Sequence, residues 1–207
     1  MVDVKTTPPD MRIIAVAGGS GSGKTLFSQL LAQRLPKAEV LPLDAYYLDK
    51  PSGTPVEQYN FDVPQAFDFK LFHQHITELQ AGRPIRKPHY GWVEGKRTRE
   101  TTRVVPGSYL VIEGLYVLMS PSLRSQLAYS FFLESPLDIA LARRVLRDIH
   151  EHGVTPDYSI NQYLTFVRPA YLQHIYPTKQ FAHYTVPNDQ RTRLDRFLDD
   201  FLSKYML

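Results

Sequence analysis

Apolar positions along the chain fall in short unbroken runs that alternate with stretches of helical period. "RIIAVAG" (12–18), "AEVLPLDAYY" up to Asp44, "YLVIEG" (109–114), "AYSFFLES" (128–135) and "FAHYTVP" read as strands, the first and third as strands buried on both faces of a parallel sheet. Between them, Leu26, Phe27, Leu30, Leu31 and Leu35 follow helical spacing over 23–35, and Pro36 stops the run. Residues 64–82 predict a helix from near Pro64 to Gly82, and Pro136 opens a long one closed by Gly153. Residues 158–175 predict a helix interrupted near Pro169, and "TRLDRFLDDFLSKYML" a terminal amphipathic helix. Strands alternating with helices predict an α/β sandwich around a mostly parallel central sheet. Residues 83–108 break the pattern: short, basic and rich in Pro, Gly and Thr, they predict a small inserted β-hairpin flap. Residues 1–10 read as a disordered tail, which leaves 11–207 as a single domain with a helical lid region over 136–175.

Composition narrows the class. The 207 residues are 43% hydrophobic, and Lys plus Arg minus Asp plus Glu is 24 − 21 = +3, too small to imply nucleic acid. With no cysteine, disulfides and thiolate metal sites are excluded, as suits a reducing compartment. The first eleven residues lack the apolar stretch of a signal peptide, and the apolar region 109–119 is too short to span a membrane and carries Glu113. The expectation is a cytoplasmic protein with no membrane and no nucleic-acid partner. "KRTRETTR" (96–103) has little aromatic interleaving and reads as a solvated hairpin. His73 and His75, like His150 and His152, are two apart on helices and make no credible zinc pair.

The chemistry concentrates in "GGSGSGKT". Gly18, four residues, then Gly23-Lys24-Thr25 matches G-x-x-x-x-G-K-[ST] between a strand and a helix. Gly18, Gly19, Ser20, Gly21, Ser22 and Gly23 would turn backbone N–H groups around a phosphate, and the helix that follows aims its positive end at the same anion. Lys24 would reach the β/γ-phosphates and Thr25 would place its hydroxyl on Mg²⁺. No register gives G-x-G-x-x-G, and no N-K-x-D segment for a GTPase is present. The loop binds a nucleoside triphosphate, ATP or GTP. Asp44 and Glu113 stand at the carboxyl ends of predicted central strands, where ligands collect in open α/β sheets. In transfer to an alcohol, one carboxylate accepts the hydroxyl proton and another holds Mg²⁺. Arg143, Arg144 and Arg147 form a basic stripe, opposite Leu141, Val145, Leu146 and Ile149, which serves either as a solvated face or as an arginine lid over the phosphates.

"GGSGSGKT", "LDAYYLD", "NFDVPQAFD", "KPHY", "VIEGLY", "ARRVLRDIHEHG", "QYLTFVRPAY" and "YPTKQFAHYTVP", in this order from about 13 to 187, resemble the uridine (uridine–cytidine) kinase family of P-loop kinases. The resemblance implies γ-phosphoryl transfer to the 5′-hydroxyl of a pyrimidine nucleoside, as in pyrimidine salvage, and suggests a homo-oligomer. It implies Asp44 as catalytic base, Tyr47, Phe61 and Tyr90 as pocket residues, and Asp62 on the ribose hydroxyls. It further implies Arg144 and Gln162 in the nucleoside site and Arg147 as a lid arginine on the phosphates.

The departures are as specific. Gly91 and Trp92 follow Tyr90 where the family has Asp-Phe, and Gly95 replaces the histidine that reads the pyrimidine edge. His152 and Val154 stand where two arginines are usual, and His183 replaces an acid. Losing a hydrogen-bonding side chain in the base pocket should relax or redirect base selection, with His89 a candidate substitute. The alternatives are a related P-loop kinase acting on another small alcohol, such as a sugar phosphate or vitamin precursor, and a catalytically inactive nucleotide-binding regulator.

Overall fold

A computed structural model describes residues 11–205; the tail expected at 1–10 lies outside the described residues. Five strands, β1 (Arg12–Gly18), β2 (Ala38–Pro42), β5 (Tyr109–Glu113), β6 (Leu127–Glu134) and β7 (Tyr184–Pro187), form one sheet in the order β2-β5-β1-β6-β7. Every pairing in it is parallel. β3 (Ile85–Gly91) and β4 (Lys96–Val104) pair antiparallel as a separate hairpin within the expected flap.

Alternation along β1 builds two cores. Ile13, Ala15 and Ala17 face one side with Leu41, Ile112 and Phe132, covered by Phe72, Ile76 and Leu79 of α2 (Phe69–Gln80) and by Ile175. Ile14 and Val16 face the other with Phe131 and Leu133, covered by Phe27 and Leu31 of α1 (Lys24–Arg34) and Leu194 and Leu198 of α7 (Arg191–Tyr205). Both faces of β1 are thus dry, which is why its sequence is an apolar run rather than an alternation. A short α3 (Pro121–Arg124) precedes β6.

Two expectations need correction. The helix expected from Pro64 begins at Phe69: residues 64–66 make a single tight turn, and the Asp68 side chain then caps the helix by accepting from the Leu71 amide at 2.9 Å. α4 (Leu137–His152) opens after Pro136 and ends at Gly153 as expected, and leaves Leu146 58% exposed. The last strand begins at Tyr184 rather than Phe181, because 176–181 coil into a tight helical turn.

The helix expected over 158–175 is present from α5 (Pro156–Gln162) onward, with one-turn α6 (Arg168–Ala170) flanked by widened turns at Tyr163–Val167 and Tyr171–Ile175. Pro169 has no N–H to give and its ring crowds the preceding turn, which the wider coil relieves. No helix among the described residues is long and apolar enough to cross a membrane.

Candidate active site

The carboxyl end of β1 lies between β5 and β6, where the strand order turns back on itself and a crevice opens. Residues 19–23 cross that crevice, and α1 starts at Lys24. Its N-cap is Gly23 at φ 88°, with no side chain capping it and no acid in the first turn. The first amides of α1 therefore remain free for an anion. Gly21 and Gly23 are also fixed from behind. Gly21 has φ 75°, and a Cβ there would strike the Ala140 carbonyl; one on Gly23 would strike the Asn188 amide. Ser22 O accepts from Asn188 Nδ2 at 2.7 Å, and Arg143 Nη1 donates to Asn188 O at 2.9 Å. Arg143 thus buttresses the loop and is not part of a solvated stripe.

Lys24 is buried with Nζ 3.0 Å from Gly19 O, and burial lowers its pKa against the opposing pull of Glu113 and Asp44. Thr25 Oγ1 donates to Glu113 Oε1 at 3.1 Å. The register that sets Glu113 beside Val16 of β1 and Pro42 of β2 delivers that carboxylate to the crevice. Gly114 follows because a Cβ there would lie 2.6 Å from Leu43 Cβ, in the turn Leu43–Tyr46 that carries Asp44. Asp44 is exposed as a residue, while protein packs densely around its carboxyl group. That burial raises its pKa against Lys24, Arg147 and Arg144, while burial and Asp44 push Glu113 up to about 7. Asp44 lies close enough to Glu113 to disfavour its ionisation, as neighbouring carboxylates do. A hydroxyl and two carboxylates suit Mg²⁺, which takes oxygen ligands and commonly shares them with substrate phosphates. Among the described residues no cluster of three His or acidic groups forms a protein-only metal cage.

On the acceptor side, Asp62 is half-buried, and burial raises its pKa against Arg144. Its amide donates to Asn60 Oδ1 at 2.9 Å, and its carbonyl accepts from the Tyr116 hydroxyl. The charges of Arg144 and Arg147 on α4 pull the carboxyls of both Asp44 and Asp62 downward against that burial. Arg144 Nη1 reaches Ser20 Oγ of the loop at 2.8 Å. Tyr47, only 4% exposed, packs with ring centroids 5.8 Å from Phe61, 5.3 Å from Tyr90 and 5.0 Å from Trp92. Gln162 Nε2 donates to Glu57 O at 2.7 Å. His89 Nε2 is 2.6 Å from Thr102 Oγ1 across the hairpin. At Gly95, φ 63°, a Cβ would collide with the Lys50 stem, and the Gly95 carbonyl accepts from the Lys50 amide.

Sequence reasoning missed three groups. Arg97, inside the stretch read as solvated, donates to Tyr47 O at 2.9 Å, Tyr46 O at 3.3 Å and Asp68 Oδ2 at 3.1 Å, pinning the hairpin to the turn bearing Asp44. Asp148 is buried beneath the arginines. Trp92 bridges the aromatic cluster to His152 at the end of α4, with centroids 6.1 Å apart. A cleft of about 480 Å³ also opens beside the loop, between Ser135, Leu137, Tyr171, Tyr176 and Asn188.

A parallel sheet with an uncapped glycine loop at its switch point, a buried lysine and a hydroxyl–carboxylate pair defines an ATP-dependent P-loop kinase. The chain belongs to the phosphoribulokinase/uridine kinase family, whose model matches residues 13–194. It is 38% identical over 190 residues to a uridine kinase of Cronobacter sakazakii (strain ATCC BAA-894), covering 88% of this chain and 89% of that one. It is 39% identical over 191 residues to a uridine kinase of Proteus mirabilis (strain HI4320), covering 88% and 89%. Among solved structures it resembles a protein of Silicibacter sp. TM1040 named provisionally as a fructose transport system kinase. That match has TM-score 0.66 and 26% identity over 89% of this chain and 92% of the other.

Proposed function

We propose that the protein transfers the γ-phosphoryl of ATP, or GTP, to the 5′-hydroxyl of a nucleoside, with uridine and cytidine as the leading acceptors. What carries this reading is the contact of Arg144 with Ser20 of the phosphate loop, the electrostatic coupling of Arg144 and Arg147 to Asp44 and Asp62, and the Tyr47–Phe61–Tyr90 cluster. The relatives named uridine kinase support it. In this reading residues 11–207 act as one kinase domain, with 83–108 as a flap over the acceptor and 136–175 as the lid.

The α1 amides and Lys24 cradle the donor's phosphates. Thr25 and Glu113, with Asp44 beside them, would hold Mg²⁺ together with those phosphates, where the ion neutralises charge on the oxygens. Asp62 accepts hydrogen bonds from vicinal ribose hydroxyls, a match for a carboxylate's two oxygens. Aromatic rings offer the base a stacking face. Asp44 takes the proton of the attacking hydroxyl, and Arg147 meets charge on the transferring group. Because the transition state is loose, positioning and charge outweigh proton removal.

A second reading, a related kinase acting on a sugar or another small alcohol, is favoured by Gly95, whose side-chain space the Lys50 stem would contest. Initial rates over uridine, cytidine, purine nucleosides, ribulose phosphate, glycerate and pantothenate test the choice. Nucleosides running fastest support the first reading, and a sugar phosphate or glycerate running fastest supports the second.

A further inference from the structure

Asp148 has no part in the chemistry above, yet it is a carboxylate with only 5% of its surface exposed. Its Oδ1 accepts from Arg147 Nη2 at 2.8 Å and Nε at 3.2 Å. Its Oδ2 accepts from Ser159 Oγ of α5 at 2.6 Å, and Arg144 Nε forms an ion pair with the same oxygen at 3.3 Å, without hydrogen-bond geometry. Arg144 continues from there to Ser20 Oγ in the phosphate loop. A chain of polar contacts therefore runs from α5 through Asp148 and Arg144 to the loop, with Arg147 held on a side branch. On the same α5, Gln162 holds the Glu57 carbonyl on the acceptor side.

A carboxylate is removed from water at considerable cost unless its oxygens are well partnered. Here the partners are the two arginines, and a neighbouring helix supplies the third. An arginine on a helix surface would otherwise sample many rotamers, which weakens any contact it makes with a transferring group. Anchored at its inner edge by a carboxylate, the planar guanidinium presents its remaining N–H groups in fixed directions.

We infer that Asp148 is the positioning residue that sets Arg144 and Arg147 for phosphoryl transfer, and that Ser159 ties this setting to the docking of α5. The inference rests on the reading of these arginines as phosphate- and acceptor-facing groups. Asp148 itself touches neither substrate.

The test compares the full chain with Asp148→Asn, Ser159→Ala, Arg144→Ala, Arg147→Ala and the double variant Asp148→Asn/Arg147→Ala, measuring kcat, both KM values and MgADP binding by calorimetry. Asp148→Asn should lower kcat about 10- to 100-fold, the range for losing a charge-assisted contact. KM for either substrate and MgADP affinity should stay within about threefold, since the arginines act mainly in the transition state. Ser159→Ala should lower kcat several-fold in the same pattern, and it carries the test if Asp148→Asn does not fold. The double variant should lose less than the product of the two single losses, because Asp148 acts in part through Arg147.

Wild-type kcat in both Asp148→Asn and Ser159→Ala overturns the inference, as does full multiplicativity in the double variant. If Arg144→Ala and Arg147→Ala both turn over normally, the arginine reading itself falls and takes the inference with it. That failure is seen in the arginine variants alone and so is distinct from a failure at Asp148.

Discussion

Thr25 Oγ1 and Glu113 Oε1 meet at 3.1 Å, joining the first turn of α1 to the carboxyl end of β5. The bond fixes the rotamer of a side chain that would otherwise turn freely, and sets a hydroxyl and a carboxylate on one side of the loop. Glu113→Gln keeps the shape but loses the charge. It should fold normally, cut kcat by about 100-fold or more, and raise the Mg²⁺ concentration for half-maximal rate. Thr25→Ser keeps the hydroxyl and should stay within about tenfold of wild type. A magnesium titration of initial rates checks both.

Asp44→Asn removes a proton acceptor without removing volume. A positioned general base contributes roughly 10²- to 10⁴-fold, so kcat should fall by that much while ATP affinity by calorimetry is nearly unchanged. Near-normal kcat would put the base elsewhere. Lys24→Ala should abolish most turnover and weaken ATP binding as well.

Arg97 fastens the hairpin through three acceptors, two of them backbone carbonyls of the turn that holds Asp44. Its side chain is one-quarter exposed, which tempers the ion pair with Asp68 but leaves the carbonyl contacts. Arg97→Ala should cost about 1–3 kcal/mol and raise acceptor KM. Arg97→Lys should recover little, because an ammonium cannot reproduce the fork. Thermal melts and acceptor titrations read the two effects separately.

Burial pushes the Asp148 carboxyl up, but Arg144, the Ser159 hydroxyl and Arg147 outweigh it and leave its pKa below the ordinary aspartate value. A carboxylate depressed in the folded state stabilises the fold above its unfolded pKa of about 4, and that stability is lost as pH falls through the folded value. Asp148→Asn carries no charge at any pH. Its melting temperature should therefore trail wild type most near about pH 7 and least near about pH 3. A gap that does not change with pH would contradict this.

Trp92 is the one tryptophan in the chain and packs against Tyr47, Tyr90 and His152. Its emission should change when a nucleoside acceptor binds and respond far less to MgADP. An acceptor titration followed by fluorescence measures this directly.

The legible part of the molecule was whatever local pattern and strand topology dictate. The phosphate loop, Thr25, Glu113 and Asp44 come from a glycine spacing and from acids at the ends of apolar strands, and the parallel sheet brings those groups together without further information. The sequence pattern places the start of α2 too early because Pro64 suits a helix start, whereas Asp68 supplies the cap four residues later. Arg97 and Asp148 were not legible because each is a charged residue in a charged stretch. Only the tertiary fold shows that one reaches under the hairpin and the other is roofed by α5. Arg143 reads as one of a stripe of three, yet its acceptors are Ser135 after β6 and two carbonyls of the loop after β7. Long-range partners of this kind leave no periodic trace in a single sequence.

The most direct measurement is identification of the product formed from ATP and uridine, with 5′-deoxyuridine as the parallel acceptor, by ³¹P NMR. Uridine carrying a new phosphate on its 5′-oxygen, with 5′-deoxyuridine inert, is the predicted result. Phosphorylation of 5′-deoxyuridine, or ADP formation that ignores nucleoside, would contradict the account.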